Sequence, residues 1–229
     1  MLQLADLSFS PPIAFTYNPL MYAQAPYEHY VHRFGAQPKQ IVFLGMNPGP
    51  WGMAQTGVPF GDVVSVREWM GIEAPICTPA VLHPKRPVLG FACQRREVSG
   101  RRLWSLMADR FGTSEAFFAT HFVLNYCPLA FFDASGRNIT PDKLRVKDRT
   151  PLFAACDAHL KSAVTVLQPQ WLVAIGRFTA TRIARVIGGG AQGRPATVTI
   201  PHPSPANPQA NQGWDRKVTD IMRSSGAWT

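Results

Sequence analysis

Charge is scarce in this sequence: Asp, Glu, Lys and Arg make up only 16% of its 229 residues, while hydrophobic side chains make up 46%. That balance excludes a disordered chain and predicts an ordered globule with much uncharged loop surface, long enough to be one domain. No Lys or Arg precedes Arg33, so no secretory leader with a basic start is expected. No apolar run approaches the roughly 20 residues of a membrane span, and a soluble protein of the cytosol, nucleoid or nucleus is expected. Cys77, Cys93, Cys127 and Cys156 stand far apart without a C-x-x-C pair. This argues against zinc or iron–sulfur sites and for free thiols in a reducing compartment. Neither G-x-x-x-x-G-K-[ST] nor G-x-G-x-x-G follows the first apolar strand, so phosphate capture of a nucleotide cofactor there is excluded. The H-x-E and P-C-x-x-C pattern of zinc deaminases is missing as well, and neither metal nor cofactor is expected.

What charge there is has one sign. Twenty-three Lys and Arg against 14 Asp and Glu give a net charge of +9, a field that attracts polyanions. Nucleic acid is the first candidate partner, with plain solubility as the alternative. The 21 prolines and 18 glycines have no period, which excludes collagen and low-complexity linkers.

Apolar runs alternate with helical patterns along the chain. "IVFL" at 41–44 reads as a buried strand, and Asp62 is placed to cap a helix carrying Val63, Val66 and Met70 up to Gly71. A helix is predicted over 101–111, and "HFVLNYCP" reads as a strand ended by Pro128. A helix beginning at Thr150 and Pro151 and closed by Pro169 follows. "WLVAIG" and "ATVTI" are strands, "FTATRIARVIGGG" is a helix stopped by Gly188, and Trp214, Val218, Ile221 and Met222 mark a last helix. The first forty residues read as a packing arm with a short helix near 27–34. Strands alternating with helices predict an α/β fold with a short parallel sheet covered on both faces, whose sites form at the carboxyl ends of the strands.

Three segments lie at those ends: "GMNPGPWGMAQTGVPFG" from Gly45 to Gly61, Asn125, and "HPSPANPQANQGW" from His202 to Trp214. None contains a formally charged side chain. Neutral amides at Asn47, Gln55 and Asn125, with the flat faces of Phe60 and Trp51, suit a planar heterocycle that is stacked and read by its edge. Each group also has a purely structural reading: Asn47 as a turn cap, His202 as a loop histidine, Phe60 as core, Asn125 as a tie at a strand end. Their coincidence at three strand mouths favours a site.

Those two long segments, with "NYCPL" between them in the same order, closely resemble the single-strand-selective monofunctional uracil-DNA glycosylases, a branch of the uracil-DNA glycosylase superfamily. The resemblance runs from Ile41 to Trp214. It implies a three-layer αβα sandwich around a short parallel sheet, acting as a monomer on DNA that contains uracil or modified bases.

By the same resemblance Asn47 positions the attacking water and His202 hydrogen-bonds O2 of the departing uracil. Phe60 stacks on the flipped base and Asn125 reads its edge, while Gly45, Met46 and Gly49 complete the pocket. Gly49 stands where uracil-strict relatives carry an aromatic, which leaves space for 5-substituted uracils. Pro203, Ser204, Pro205, Ala206, Asn207, Pro208 and Gln209 correspond to an intercalating wedge. Ala206 departs from the Arg of vertebrate members, and Trp51 from a frequent Phe. Lys85, Arg86, Arg95, Arg96, Arg101 and Arg102 form one basic cluster and Lys143, Arg145, Lys147 and Arg149 another, read as grips on the DNA backbone or as solvated loop faces. Two rival functions stay open: a binding module for damaged or single-stranded DNA that has lost its chemistry, and a hydrolase of free nucleosides.

Overall fold

The computed structural model describes residue 4, residues 7–188 and residues 193–229. Four parallel strands form the main sheet: β2 (Ile41–Gly45), β3 (His121–Asn125), β6 (Trp171–Ile175) and β7 (Ala196–Ile200), in the order β3-β2-β6-β7. Every residue of β2 and β3 is buried, as the continuous apolar runs require of strands covered on both faces. The chain reverses its direction of travel across the sheet at β2, with β3 on one side and β6 on the other. A crevice opens at the carboxyl ends of strands at such a switch point. The register pairs Gly45 with Asn125, which sets the ends of the first two predicted walls side by side.

The helices that flank the sheet are α4 (Val98–Phe111), α5 (Ser114–Thr120), α6 (Val146–Leu167), α7 (Arg177–Val186) and α8 (Trp214–Ser224). Three others precede them: α1 (Pro19–Tyr22), α2 (Gln24–Phe34) and α3 (Met53–Thr56). One continuous core joins sheet and helices, with Phe43, Val123, Leu172 and Val173 fully buried at its centre.

Several expectations are corrected. The helix placed at Thr150 begins at Val146 instead, so Pro151 lies inside α6. The proline withholds one N–H from the carbonyl of Lys147, an exposed residue. The turn ahead of it is held because Asp148 accepts bonds from the Ser10 N–H at 2.9 Å and hydroxyl at 3.2 Å. The segment after Asp62 is a π-helical turn over Ser65–Trp69 rather than an α-helix, and Gly71 ends it at φ +63°. Helix α4 starts three residues before Arg101, because the Glu97 carboxylate caps it. Of the segment assigned to a helix ending in "GGG", α7 accounts for Arg177–Val186, and Gly189 and Gly190 lie outside the described residues.

The sequence pattern also missed a small antiparallel sheet. It consists of β1 (Ile13–Tyr17), β4 (Ala130–Asp133) and β5 (Asn138–Ile139), in the order β1-β4-β5. Thus the stretch read as an N-terminal arm supplies a strand and two helices, and β5 brings a further wall to the crevice.

Candidate active site

Beyond Gly45 the chain turns into a cavity of about 370 Å³ at the carboxyl ends of the parallel strands. Its walls bring together Met46, Asn47, Gly49, Phe60, Asn125 and His202, six of the residues singled out in the sequence. Glu97 and Ser99 from the start of α4, and Asn138 and Thr140 from β5 and the residue after it, also line it. Sequence reasoning missed these four. A carboxylate just ahead of the apolar pattern of α4 was the available signal for Glu97, since acidic caps favour helix starts.

Asn47 is anchored from one side. Its Nδ2 donates to the Leu129 carbonyl at 3.2 Å, leaving Oδ1 without a partner among the described residues. Asn125 is buried, its Nδ2 lies 3.2 Å from the Met53 sulfur, and its Oδ1 has no hydrogen-bond partner. An unmatched buried acceptor costs about 1 to 3 kcal/mol, which a ligand N–H would recover.

Gly45 makes this arrangement possible. A Cβ there would stand 2.4 Å from both Asn125 Oδ1 and the Phe60 ring, closer than any side chain tolerates. Phe60 adopts φ +54°, an unfavourable conformation for a bulky residue, and is held in it from two directions. Trp104 Nε1 donates to the Phe60 carbonyl at 2.9 Å. The same carbonyl lies 1.9 Å from where a Cβ on Gly100 would be, so only glycine lets α4 approach. Gly49 has room: an added Cβ would meet nothing nearer than Glu97 Cδ at 3.5 Å.

His202 stands across from Phe60, with ring centroids 6.2 Å apart. Its Nδ1 accepts the Ser204 N–H at 3.1 Å, which places the proton of the neutral ring on Nε2. Burial pushes the imidazole down to about 4, so it is neutral at physiological pH. Its backbone is fixed by Asn207, whose Nδ2 donates to the His202 carbonyl at 2.9 Å. Glu97 spends both carboxylate oxygens on the helix start, accepting from Ser99 N at 3.0 Å and Gly100 N at 2.9 Å. Burial pushes its carboxyl up.

The segment 203–209 forms the lip above His202. Pro203 is buried and Ser204 lines the cavity, whereas Pro205, Ala206, Pro208 and Gln209 are exposed. Arg102 braces this lip, donating to the Pro203 carbonyl at 2.8 Å and to Asn211 Oδ1 at 3.1 Å.

Two predicted pocket residues lie elsewhere. Gln55 is buried and fully spent on backbone groups of Pro50, Pro87 and Leu89. Trp51 faces a separate hollow with Lys85, Arg86 and Arg95. Arg96 forks onto the Asp62 carboxylate at 2.8 to 3.2 Å, and Asp62 is wholly buried. That pair fastens the π-helical turn to the start of α4. In the second basic cluster, Lys143 pairs with Asp142 at 3.6 Å and Arg149 donates to the Asp142 carbonyl at 3.1 Å. Among the described residues no helix is long and apolar enough to cross a membrane.

The comparisons with known proteins bear on the family and the fold. The family model described as the Uracil DNA glycosylase superfamily matches residues 32–221. A protein of Mus musculus named single-strand selective monofunctional uracil DNA glycosylase is 44% identical over 98% of this chain and 80% of its own length. Its namesake from Bos taurus is 45% identical over 98% of this chain and 82% of its own. Among solved structures, wild-type Pedobacter heparinus SMUG2 superposes with a TM-score of 0.68 at 16% identity, covering 97% of this chain and 92% of that one, a likeness of fold. With its neutral crevice at the switch point of the sheet and these relatives, the chain belongs to the uracil-DNA glycosylase superfamily and, within it, to the single-strand selective monofunctional uracil-DNA glycosylases.

Proposed function

We propose that this protein is a base-excision repair glycosylase that releases uracil and neutral 5-substituted uracils from DNA, leaving an abasic site. The observation that carries the reading is the buried, unpartnered Oδ1 of Asn125, which awaits an N–H donor beside the stacking face of Phe60. Uracil offers N3–H to that oxygen and O4 to the amide nitrogen. Neutral cytosine presents the opposite polarity at both atoms, and its mismatched groups cost about 1 to 3 kcal/mol each.

Asn47 has no basicity to draw a proton from water, so bond cleavage leads. The C1′–N1 bond breaks with its electron pair passing to the base, and the developing charge on O2 is met by the Nε2–H of neutral His202. Water oriented by Asn47 Oδ1 then bonds to C1′ and its released proton goes to the uracil anion, which leaves as neutral uracil. No Lys lines the cavity, so no Schiff base with the sugar forms and the strand stays intact.

Gly49 leaves space beside Glu97 for a substituent at C5. The target must leave the stack, at a cost of a few kcal/mol in duplex and less in single strands. Pro203 to Gln209 act as the wedge that fills the gap, stiffened by prolines and by Arg102. Lys85, Arg86 and Arg95 attract the DNA strand outside the cavity, whereas Arg96 is spent on Asp62 and belongs to the scaffold. One chain supplies every wall of the cavity, so a monomer suffices.

The test is single-turnover release of uracil from a labelled oligonucleotide, single-stranded and duplex, read with and without alkali. Alkali-dependent cleavage by the wild type but not by Asn47→Ala is expected. Retained DNA binding without any abasic product would leave a binding module in place of the enzyme.

A further inference from the structure

Next to the catalytic cavity lies a second hollow of about 740 Å³, within the size range of small-molecule sites, that the reaction above does not use. Trp51 lines it, and the preceding residue, Pro50, lines the catalytic cavity. Arg95 lies over the indole with its guanidinium carbon 4.4 Å from the ring centroid, and Arg86 at 5.4 Å. Lys85 stands at the same opening. No carboxylate lines the hollow, and among the described residues none of the three cations takes part in an ion pair. Like charges gathered without a counter-charge repel one another, a cost that an arriving anion removes.

The hollow is built before any ligand arrives. Gln55, 1% exposed, donates to the carbonyls of Pro50 and Pro87, both at 2.9 Å, and accepts the Leu89 N–H at 2.8 Å. One side chain thus bolts the wall of the hollow to the rim of the catalytic cavity. Arg86 is held at both ends: its carbonyl accepts the Tyr17 hydroxyl at 2.8 Å, and its Nε donates to the Gly136 carbonyl at 2.6 Å.

An indole and two guanidinium groups gathered over it are flat groups on which any nucleobase can stack, and Lys85 supplies a point charge for a phosphate. Resting on the glycosylase reading, we infer that this hollow is a subsite for the nucleotide next to the target, holding its base against Trp51, Arg86 and Arg95 and its phosphate at Lys85. Only an unpaired neighbour can turn its base into the hollow, since in a duplex that base is stacked and paired. The subsite therefore favours single strands, and it gives Trp51 a task that the catalytic cavity does not.

Three single-stranded oligonucleotides test this: one with uracil between ordinary nucleotides, and two in which a tetrahydrofuran residue replaces the base on the 5′ or the 3′ side while every phosphate is kept. The enzyme concentration giving half-maximal single-turnover rate is read for each. For wild type, removing the base on one side only is expected to raise that concentration by roughly 5- to 150-fold, the range for one stacked base. Trp51→Ala is expected to bind the intact strand as weakly and to be indifferent to the missing base. Equal half-saturation by wild type on all three strands would overturn the proposal, because the hollow would then hold phosphate alone. Unchanged discrimination by Trp51→Ala would overturn it too, placing the neighbouring base elsewhere. The wild-type arm needs no variant and so does not depend on how Trp51→Ala folds. Uracil released from the intact strand at saturation tests the glycosylase reading separately in the same tubes.

Discussion

Lowering the pH from 7 to 5 tests the state of His202 on stability and rate together. Burial pushes this imidazole down to about 4, whereas in the unfolded chain it titrates near 6.5. Between those values the unfolded state takes up a proton that the folded state refuses. Its contribution to stability is therefore complete above about pH 6.5, is lost as the pH falls towards 4, and changes no further below that. Linkage across the window gives a loss of about 2 kcal/mol between pH 7 and 5 from this one group. His121, pushed down to about 4 chiefly by burial, adds a similar loss. The comparison that isolates His202 is guanidinium unfolding of wild type and His202→Gln at both pH values. The variant's loss should be smaller by about 2 kcal/mol. On the rate side, a group titrating at 4 is about 99% neutral at pH 6, against about 25% for an ordinary histidine. Single-turnover release at saturation should stay flat from pH 8 to about 5.5 and halve near pH 4. A His202→Gln variant that loses as much stability as wild type, together with a wild-type rate that halves near pH 6.5, would refute a neutral buried donor.

Gly45→Ala places a Cβ 2.4 Å from both Asn125 Oδ1 and the Phe60 ring. Release of uracil should fall by about tenfold or more, a loss of at least about 1.4 kcal/mol of transition-state binding, with the circular dichroism spectrum kept. Gly49→Tyr sends a ring from a position whose Cβ fits into the cavity. Activity on uracil should survive while release of 5-hydroxymethyluracil falls by about a hundredfold, measured on paired substrates; equal activity on both would contradict the role of Gly49. Asp62→Ala strips the Arg96 fork and the Glu97 N–H of their acceptor. Because the Arg96 side chain is 42% exposed and can rehydrate, the loss should be about 2 to 3 kcal/mol, at or below the roughly 3 kcal/mol low end for a fully buried pair. A Tm lower by roughly 5 to 10 °C in a thermal melt would match it.

The parallel sheet was legible because "IVFL", "WLVAI" and "ATVTI" are apolar or β-branched runs bounded by Gly and Pro, so each strand carries its own signal. The antiparallel sheet was not. Ile13–Tyr17 finds its partner in Ala130–Asp133, more than a hundred residues away, and β5 is two residues long. Asn47, Asn125, Phe60 and His202, singled out at strand mouths, come together in one cavity because strand ends converge at a switch point. Gln55 was misplaced, since composition cannot tell which of several equal amides in an irregular loop turns outward to other loops. Glu97 was hidden by Gly100, which reads as a breaker. That glycine is required by the Phe60 carbonyl, a contact between segments forty residues apart.

The molecule separates two electrostatic tasks over the width of one residue. Up to Pro50 the cavity is lined by amides, an aromatic ring and a histidine held neutral by burial; from Trp51 outward the wall is cationic. On the proposed function, a polyanion drawn to this rim finds no cation inside the cavity for its phosphates, so a neutral base is the part of the strand suited to enter. The cavity holds one carboxyl, Glu97, which would oppose negative charge on a departing base. Its two oxygens are occupied by backbone N–H groups at the start of α4, and burial shifts it towards its neutral form. A neutral His202 is a weaker stabiliser of that charge than an imidazolium, but an imidazolium buried here would repel the sugar cation formed at the same moment. In the proposed reaction no strong base stands beside C1′, so the order of events follows from that reading: the base leaves first, and the water assigned to Asn47 completes the reaction.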